Sequence, residues 1–565
     1  MQTKIISIKT DSSQTAWIPF FFVVFIFFFE GYQLNVNYSA YLIYLYDTQE
    51  IFSAIIAVVF LIISLILFYY FVVVAFFSEA RFKIIYFLIF SLASFIEYGY
   101  QKALGRFSTT SDIESVVATT SDQKFESIFL YISLASIIPC LVFLICLFVV
   151  KNKQPKGLKP FLLTIFLFVV FFICLSTFGS FFIEQKFPTV SFNAFCRTST
   201  DFLIWGPLSN GKWNASITGN NLTRRKVEKP SLPENYRPSN NIVFVIDESV
   251  RGDHLSLNGY ERKTTPVLDN LQSQGILNNW GIAVSASTGS RFTYNAIITG
   301  LTPDDFPDKS EFKVNTFPTI FQYAKAMNYQ THFFDGQMKN YWGGIPDDLN
   351  YIDSWSGINQ FDDNGLSPKW KIDNRIALEV NKIISNSTGN FIVIFKRGSH
   401  IPYQDCFPPD EQPWQPIYTT ENKFDIPTAE KLPEVANSYD NAIKYNINSF
   451  FENLIKDYTA IPNNTVIIYT GDHGQTLFAN GKSSHGGASQ AEATVPLFII
   501  GKLEKTVETK YQASHDNIFP TLLDLMNYPE NLRGYQTTLS LFDAAADDSK
   551  PRFFNPDLGN KVPFY

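Results

Sequence analysis

The stretch Val466-Ile467-Ile468-Tyr469-Thr470-Gly471-Asp472-His473-Gly474 constrains the fold of this 565-residue chain most strongly. Its first five residues are all β-branched or aromatic, which is the composition of a buried strand. The run ends at a glycine, and a carboxylate and an imidazole follow at once. Two other runs end in a similar way: Asn241–Ile246 is followed by Asp247-Glu248, and Phe391–Lys396 is followed by His400. Polar groups therefore follow three apolar runs that lie far apart in the sequence.

Further strand-like runs at Tyr329–Phe334 and Val495–Ile500 alternate with longer stretches of helical pattern. Apolar strands separated by helices are typical of a parallel sheet with helices on both faces. In open sheets of this kind, ligands bind at the carboxyl ends of the strands. We therefore predict an α/β sandwich with a mainly parallel sheet over residues 241–565. One edge of that sheet collects the polar groups that follow the strands.

The first 184 residues have a different composition, with long apolar runs that hold a large share of the 56 phenylalanines. Because a bilayer core of roughly 30 Å needs about 20 apolar residues per helix, these runs predict five transmembrane helices. The predicted spans are, approximately, residues 17–36, 51–77, 83–100, 127–150 and 160–183. Glu30 and Glu97 fall inside two of the spans, and their roles stay open.

The basic residues alternate between the loops as the positive-inside rule requires. They are in excess in the N-terminal tail and in the loops after the second and fourth spans, for example at Lys4, Arg81 and Lys151. The N-terminus is therefore predicted inside the cell, and everything after residue 184 outside the cytoplasm. We predict a transmembrane domain of residues 1–184, a linker and bridging segment of residues 185–240, and a soluble catalytic domain of residues 241–565.

The charge and cysteine content exclude some classes of protein. The net charge is −7 and no long block of Lys and Arg occurs, which argues against nucleic-acid binding. Of the five cysteines, Cys196 and Cys406 lie outside the apolar runs, and whether they form a disulfide stays open. The chain has no CxxC pattern typical of a structural zinc site.

The residues after the strands suggest a metal site. Asp472-His473 supplies a carboxylate and an imidazole side by side, and Glu248 supplies a second carboxylate at another strand end. Carboxylate and imidazole ligands together suit Zn²⁺. An Asp-His pair alone is more often a turn with a capping aspartate, but the second carboxylate favours metal binding.

A candidate nucleophile lies in the segment Val284–Arg291, which has the sequence VSASTGSR. A strand-like approach at Gly281–Ser285 precedes it, and Phe292–Thr299 has a helical pattern. A hydroxyl at this junction lies near free backbone N–H groups and the positive end of the helix dipole, which attract phosphate. The alternative is that Ser287 or Thr288 is merely the N-cap of the helix.

Eight short segments resemble the phosphoethanolamine transferases of the alkaline phosphatase superfamily, and they occur in the family's order. They are Asp247–Arg251 (DESVR), Leu255–Tyr260 (LSLNGY), Thr264-Thr265-Pro266, Gly398-Ser399-His400, Tyr439-Asp440-Asn441 through Tyr445, Gly471–Gly474 (GDHG), Ser484-His485-Gly486 and Asp516-Asn517. Five preceding membrane spans also match this family. Its members modify lipid A, lipopolysaccharide core or periplasmic glucans in bacterial envelopes.

The resemblance implies one tightly bound zinc ion, with Mn²⁺ the weaker alternative and a second metal left open. It implies that the zinc ligands are Glu248, Thr288, Asp472 and His473. Thr288 would be the nucleophile that becomes covalently modified, and its spacing to the following helix favours it over Ser287 and Ser290. By the same resemblance, three further residues would contact the substrate phosphate or hold a second metal: His400, His485 and Lys339.

The function that this resemblance implies is transfer of phosphoethanolamine from phosphatidylethanolamine to an envelope acceptor through a phospho-threonine intermediate. The acceptor would be lipid A, lipopolysaccharide core or a glucan. The protein would be a monomer in the bacterial inner membrane, with its catalytic domain in the periplasm and no nucleic-acid partner. His254, His332 and His515 are interpreted as structural residues.

Some features depart from the family or leave other readings open. Ala286 stands where members often have a cysteine, so packing must hold the loop, and Asp247 adds a negative charge beside Glu248. A sulfatase reaction would need a cysteine or serine in a C/S-x-P-S-R-like motif, and Thr288–Arg291 contains neither Cys nor Pro. A phosphoglycerol transferase of the lipoteichoic-acid-synthase type and a non-catalytic envelope-binding module remain the alternatives.

Overall fold

A computed structural model gives the fold in two compact units, Met1–Asn221 and Leu222–Tyr565. Each unit is described by itself. The described residues are 17–33, 51–104, 134–150, 157–182, 193–203, 224–305, 317–338, 346–362, 367–419, 427–456, 461, 464–479, 481, 485–503, 507–534, 538–543, 552–556 and 561–565.

The described part of the first unit is helical. Its helices are α1 (Ile18–Gln33), α2 (Ile51–Phe76), α3 (Ala80–Leu104), α4 (Leu134–Val149), α5 (Leu158–Phe182) and α6 (Ala194–Leu203). Helices therefore occur at all five positions where spans are predicted. Among the described residues, Val58–Phe76 and Ala80–Gly99 are long and apolar enough to cross a bilayer, whereas α1, α4 and α5 contribute shorter apolar stretches. Two candidate spans stand where the sequence predicts five, so the five-span arrangement stays a prediction.

Aromatic rings fill the interior of this helical unit. Phe90 of α3 stacks on Phe143 of α4 with ring centroids 4.6 Å apart. Phe71 of α2 lies 4.1 Å from Phe195 of α6, measured between ring centroids. The abundance of phenylalanine thus serves helix packing as well as overall hydrophobicity, because ring pairs at these distances attract beyond their burial.

Both glutamates of the apolar helices are buried against α6. Glu30 Oε2 accepts a hydrogen bond from the backbone N–H of Ala194 at 3.0 Å. Glu97 lies 3.3 Å from Arg197 Nε and accepts a hydrogen bond from Thr198 Oγ1 at 3.3 Å. These two carboxylates therefore attach α6 to α1 and α3.

The structure gives the positions of the two cysteine thiols that lie outside the apolar runs. Cys196 and Cys406 are both free. The thiol of Cys196 faces the carbonyl of Ser64 at 3.8 Å, and that of Cys406 faces the carbonyl of His400 at 3.1 Å. Each thiol is therefore free within its own unit.

The second unit contains helices and strands in alternation. Its helices are α7 (Pro266–Ser273), α8 (Ser290–Thr299), α9 (Ile320–Ala326), α10 (Ile372–Asn386), α11 (Leu432–Ile455), α12 (Gln490–Ala493) and α13 (Ile518–Leu525). Its strands are β1 (Asn241–Asp247), β2 (Leu277–Val284), β3 (Gln330–Asp335), β4 (Ser354–Ser356), β5 (Asn390–Phe395), β6 (Thr465–Gly471), β7 (Thr494–Ile500), β8 (Arg552–Phe554) and β9 (Val562–Phe564). The predicted runs agree with β1, β3, β5, β6 and β7 to within one residue, whereas β2 begins four residues before the strand-like segment predicted at Gly281–Ser285.

Seven strands form one sheet in the order β2-β7-β6-β1-β5-β3-β4, and β8 pairs with β9 separately. The pairings of β1, β3, β4, β5 and β6 are parallel, whereas β7 runs antiparallel to β2 and β6. The prediction of an α/β sandwich with a mainly parallel sheet is confirmed. The exception is β7, whose first residue Thr494 lies at the edge where the parallel strands end.

The central strands bury both of their faces, which explains their continuous apolar sequence. Val243 and Val245 of β1 pack with α7, α10 and α11 on one face. Ile242 and Phe244 pack with α8, α9 and α13 on the other.

The extra carboxylate of Asp247 is neutralised within the sheet. The β1–β5 register pairs Ile246 with Phe395, which brings the next residues, Asp247 and Lys396, side by side. Lys396 Nζ lies 2.5 Å from Asp247 Oδ2, both side chains are fully buried, and the Tyr469 hydroxyl also donates to Asp247. The expectation that Asp247 adds a negative charge to the metal site is therefore corrected.

The variant Lys396→Met should lower the free energy of unfolding by about 3–5 kcal/mol, because it leaves a buried carboxylate without its cation. Urea unfolding of the full-length protein in detergent measures this. The double variant Asp247→Asn with Lys396→Met is the control and should recover part of the loss. Equal losses in the single and double variants would contradict a coupled ion pair.

Candidate metal centre and nucleophile

The register of two parallel strands places the two acidic groups beside each other. Asp247 at the end of β1 pairs with Gly471 at the end of β6, so Glu248 and Asp472 are the next residues on adjacent strands. Asp472 Oδ1 accepts hydrogen bonds from the backbone N–H groups of Ser249 at 2.8 Å and His473 at 2.7 Å. One carboxylate oxygen of Asp472 is thus fixed by the backbone. The other, Oδ2, is buried without a hydrogen-bond partner among the described residues.

Glu248, Asp472 and His473 form a group that can hold a metal ion. One ligand atom from each lies within 4.8 Å of the others, and all three residues are buried. His473 Nε2 is 3.5 Å from Glu248 Oε1 and 3.5 Å from Asp472 Oδ2. His473 Nδ1 faces the carbonyl of Gly474 at 2.9 Å, which places the proton on Nδ1 and a lone pair on Nε2. The donor set and the unpartnered Oδ2 fit a divalent cation such as Zn²⁺.

The electrostatics of the group favour a cation. Burial and the adjacent charge of Glu248 raise the pKa of Asp472 well above its ordinary value. Burial lowers the pKa of His473, which keeps its imidazole neutral. A divalent cation offsets the repulsion of two buried carboxylates and is compatible with a neutral imidazole ligand.

The hydroxyl that reaches this group belongs to Ser290, not to Thr288. Ser290 Oγ lies 3.1 Å from His473 Nε2 and donates to Glu248 Oε2 at 3.2 Å. Thr288 Oγ1 instead donates to the carbonyl of Gly487 at 2.8 Å. This placement favours Ser290 over Thr288 as the hydroxyl beside the metal-binding group. Helix α8 begins at Ser290 with Gly289 as its N-cap, two residues before the helical pattern predicted from Phe292, so the hydroxyl at the helix start is that of Ser290.

The loop before Ser290 is held by the C-terminal segment. Thr288 N–H donates to the carbonyl of Asn555 at 3.1 Å, and Asn555 N–H donates to the carbonyl of Ala286 at 3.0 Å. The N–H of Gly486 donates to the carbonyl of Thr288 at 3.1 Å. This backbone pairing turns the Thr288 side chain towards Gly487.

His515 holds the same loop in place through hydrogen bonds of its ring nitrogens. Its Nδ1 accepts the N–H of Ala286 at 3.1 Å, and its Nε2 lies 3.0 Å from Thr470 Oγ1 on β6. Burial lowers the pKa of His515 to about 3, so the ring stays neutral and keeps this hydrogen-bond pattern. Hydrogen bonds to His515 and Asn555 thus hold Ala286, where family members often have a cysteine.

The other predicted site histidines lie near the group. The rings of His485 and His473 stack with centroids 4.3 Å apart, and His485 Nδ1 is buried without a hydrogen-bond partner in the described part of the chain. His400 Nδ1 donates to the carbonyl of Ile401 at 2.6 Å. Burial lowers the pKa of His400, which the charge of Glu248 opposes. Lys339 lies outside the described residues.

Gln337 is a site residue that the sequence did not identify. Its Nε2 donates to Glu248 Oε2 at 2.9 Å and to the carbonyl of Lys396 at 2.9 Å. Asp335 Oδ1 accepts the backbone N–H groups of Gln337 and Met338, which fixes the turn after β3. The signal in the sequence was the polar turn Asp335-Gly336-Gln337 at a strand end.

The two remaining histidines make hydrogen bonds within the fold. His254 Nδ1 lies 2.7 Å from Asp440 Oδ1. His332 Nε2 lies 3.3 Å from Asn390 Oδ1, and burial lowers the pKa of His332.

Comparison with known proteins identifies the family to which this architecture belongs. The family model described as Sulfatase matches residues 240–528, which is just over half of the chain. The chain belongs to the sulfatase family. The match covers the sheet, the metal-binding group and Ser290.

Curated relatives carry names of phosphoethanolamine transferases. Phosphoethanolamine transferase EptC of Escherichia coli (strain K12) is 26% identical over 330 residues, which cover 54% of this chain and 52% of that protein. Phosphatidylethanolamine transferase Mcr-1 of Escherichia coli is 23% identical over 346 residues, or 58% of this chain and 57% of that protein. The chain thus spans about half the length of the curated relatives it matches.

Solved structures share the fold. Lipooligosaccharide phosphoethanolamine transferase A of Neisseria meningitidis, an integral membrane protein, aligns with a TM-score of 0.59 at 18% identity, covering 91% of this chain and 95% of that one. The zinc complex of the C-terminal periplasmic domain of Escherichia coli EptC aligns with a TM-score of 0.50 at 20% identity, covering 60% of this chain and 97% of that one. The second unit therefore shares the fold of the EptC periplasmic domain.

The pKa of Asp472 predicts how zinc affinity depends on pH. Because that pKa is raised in the metal-free site, protons should begin to compete with zinc for the Asp472 carboxylate at a pH above the usual range of about 4 for an aspartate. The apparent zinc affinity should fall from that pH downward. Zinc titrations at stepwise lower pH measure this, and an affinity that stays constant down to pH ~4 would contradict it.

The variant His515→Ala should lower kcat by up to about a hundredfold, because the loop before Ser290 loses its anchor and misplaces the hydroxyl. Zinc content should stay unchanged, since His515 contacts none of the three metal-binding residues. The matched control is His332→Ala, which removes another buried imidazole and should leave kcat unaltered. Equal loss of activity in the two variants would point to general destabilisation.

Proposed function

We propose that this chain is a metal-dependent phosphoethanolamine transferase that uses Ser290 as its nucleophile. It would move phosphoethanolamine from phosphatidylethanolamine to lipid A, lipopolysaccharide core or a glucan of the bacterial envelope. The observation that carries the proposal is the Ser290 hydroxyl at the N-terminus of α8, 3.2 Å from Glu248 and 3.1 Å from His473. The names of the curated relatives support the choice of phosphoethanolamine as the transferred group.

The metal would be held by Glu248, Asp472 and His473. A bound Zn²⁺ supplies positive charge that lowers the pKa of a neighbouring hydroxyl and offsets the charge of the phosphoryl group. Mn²⁺ is the weaker alternative. His400 and His485 would contact the substrate phosphate or hold a second metal, and Lys339 stays a predicted contact for the substrate.

The protein residues would carry out two displacements at phosphorus. Ser290 Oγ attacks the phosphorus of the donor, an O–P bond to serine forms, and the O–P bond to diacylglycerol breaks. The proton of Ser290 ends on the diacylglycerol oxygen, with His400 and His485 as the candidate carriers. A hydroxyl oxygen of the acceptor then attacks the same phosphorus, an O–P bond to the acceptor forms, and the O–P bond to Ser290 breaks. The proton of the acceptor hydroxyl passes to Ser290 Oγ, which restores the free hydroxyl. The first-turn N–H groups of α8 face the phosphoryl oxygens throughout.

The membrane arrangement is part of the proposal. Residues 1–184 would form a five-helix anchor in the inner membrane, residues 185–240 a bridging segment, and residues 241–565 the catalytic domain in the periplasm. Helices at all five predicted positions support the anchor. An anchored monomer raises the effective concentration of lipid substrates at the site, because donor and acceptor lie in or at the bilayer.

Intact-mass analysis of the purified full-length protein tests the function and the nucleophile together. The parent should carry a phosphoethanolamine adduct on Ser290 after incubation with phosphatidylethanolamine. Ser290→Ala should lose the adduct, and turnover should fall by several orders of magnitude because the attacking oxygen is gone.

Thr288→Val is the matched control, because it removes a hydroxyl two residues away, and it should keep the adduct. An adduct that persists in Ser290→Ala but disappears in Thr288→Val would return the role to Thr288. A phosphoglycerol adduct would indicate a lipoteichoic-acid-synthase type of reaction. Absence of both adduct and stoichiometric zinc would indicate a non-catalytic module.

A further inference from the structure

A buried arginine beside the metal centre has no assigned role. Arg397 follows β5 and precedes His400 by three residues, and it is 7% exposed. Its Nε is buried, and none of the residues that the structure describes forms a hydrogen bond with it. In the described ranges, no carboxylate forms an ion pair with its guanidinium. Buried charged groups are normally paired.

The nearest acidic residues are already engaged elsewhere. Asp373 at the start of α10 accepts the backbone N–H groups of Arg397 and Gly398, one on each oxygen, both at 2.9 Å. Asp405 lies 3.0 Å from Lys369 Nζ, which neutralises it. Among the described residues the guanidinium of Arg397 therefore has no carboxylate paired directly with it, although the Asp373 carboxylate lies at its backbone.

The position of Arg397 connects it with the proposed reaction centre. The β1–β5 pairing of Ile246 with Phe395 makes residues 248 and 397 the second residues beyond that pair on adjacent strands. The charges of Arg397 and Lys369 both act on the imidazole of His400, where they add to the effect of burial in lowering its pKa. The same charges act on the thiol of Cys406. Arg397 and Lys369 thus lie on the His400 side of the site.

The chemistry of arginine indicates what this charge would bind. A guanidinium offers a planar fork of N–H donors that matches two oxygens of a phosphate group. The site proposed for the reaction also handles two phosphate-containing substrates, the donor lipid and a phosphorylated acceptor.

We propose that Arg397 forms, with Lys369 and His400, an anion subsite beside the metal centre that binds a phosphate group of a substrate. The subsite deepens the proposed function and rests on it for the identity of the substrate. The phosphate belongs either to the donor phosphodiester or to a phosphate on the acceptor. The two sources have the same chemistry and differ in the half-reaction that needs Arg397.

Calorimetric titration of the zinc-loaded full-length protein with inorganic phosphate tests the subsite itself. Arg397→Met should weaken phosphate binding by about tenfold or more, because charge-assisted hydrogen bonds are lost. The phosphate affinity of Arg397→Lys should lie between those of the parent and Arg397→Met, because lysine keeps the positive charge but lacks the planar fork of N–H donors. The matched control is Lys382→Met, which removes a positive charge from the exposed face of α10. Phosphate binding to Arg397→Met within twofold of the parent would overturn the subsite.

The two half-reactions separate the two sources. Slower adduct formation on Ser290 in Arg397→Met, measured by intact mass without acceptor, assigns the subsite to the donor. Normal adduct formation with slower discharge to a phosphorylated glycolipid, and unchanged discharge to its dephosphorylated form, assigns it to the acceptor. Unchanged rates in both half-reactions would overturn the proposal even if phosphate binds.

Failure of this proposal is distinguishable from failure of the proposed function. If the parent protein forms no phosphoethanolamine adduct, the function fails while the phosphate titration still reports on Arg397. If the adduct forms normally and the titration shows no dependence on Arg397, the subsite fails and the function stands.

Discussion

The parallel register of β1 and β6 is the constraint on which the candidate site depends. Pairing of Asp247 with Gly471 makes Glu248 and Asp472 neighbours as both strands end. A slip of one residue would turn one of the two carboxylates to the opposite face of the sheet. The apolar faces of both strands are buried under helices, which fixes the register and keeps the two acids together.

That register brings several carboxylates close together, and neighbouring groups of the structure offset their negative charge. Asp247 is paired with Lys396, and one oxygen of Asp472 is held by two backbone N–H groups. The remaining oxygens of Glu248 and Asp472 face each other across a neutral imidazole. Ser290 lies at the same point because α8 begins there, and the positive end of that helix faces the group. Negative ligands, a hydroxyl and the N-terminus of a helix thus meet at one point, which supports the proposed phosphoryl transfer.

Much of this arrangement is readable from the sequence, because it depends on local pattern. Continuous β-branched runs predicted the strands, and polar residues directly after them predicted Glu248, Asp472 and His473 as a group. Other features depend on distant contacts. The role of Ser290 rather than Thr288 depends on pairing with Asn555, and the role of Gln337 depends on a side chain that crosses between strands. The antiparallel direction of β7 could not be predicted, because an apolar run has the same pattern whichever way its strand runs in the sheet.

One cation should lie between three side chains, with Ser290 as the adjacent hydroxyl. Anomalous diffraction from crystals of the zinc-loaded protein, measured on both sides of the zinc edge, locates it. One peak is expected about 2.0–2.2 Å from carboxylate oxygens of Glu248 and Asp472 and from His473 Nε2. Ser290 Oγ should be the nearest hydroxyl. A peak away from these residues, or one with Thr288 Oγ1 nearer than Ser290 Oγ, would rule out this metal centre.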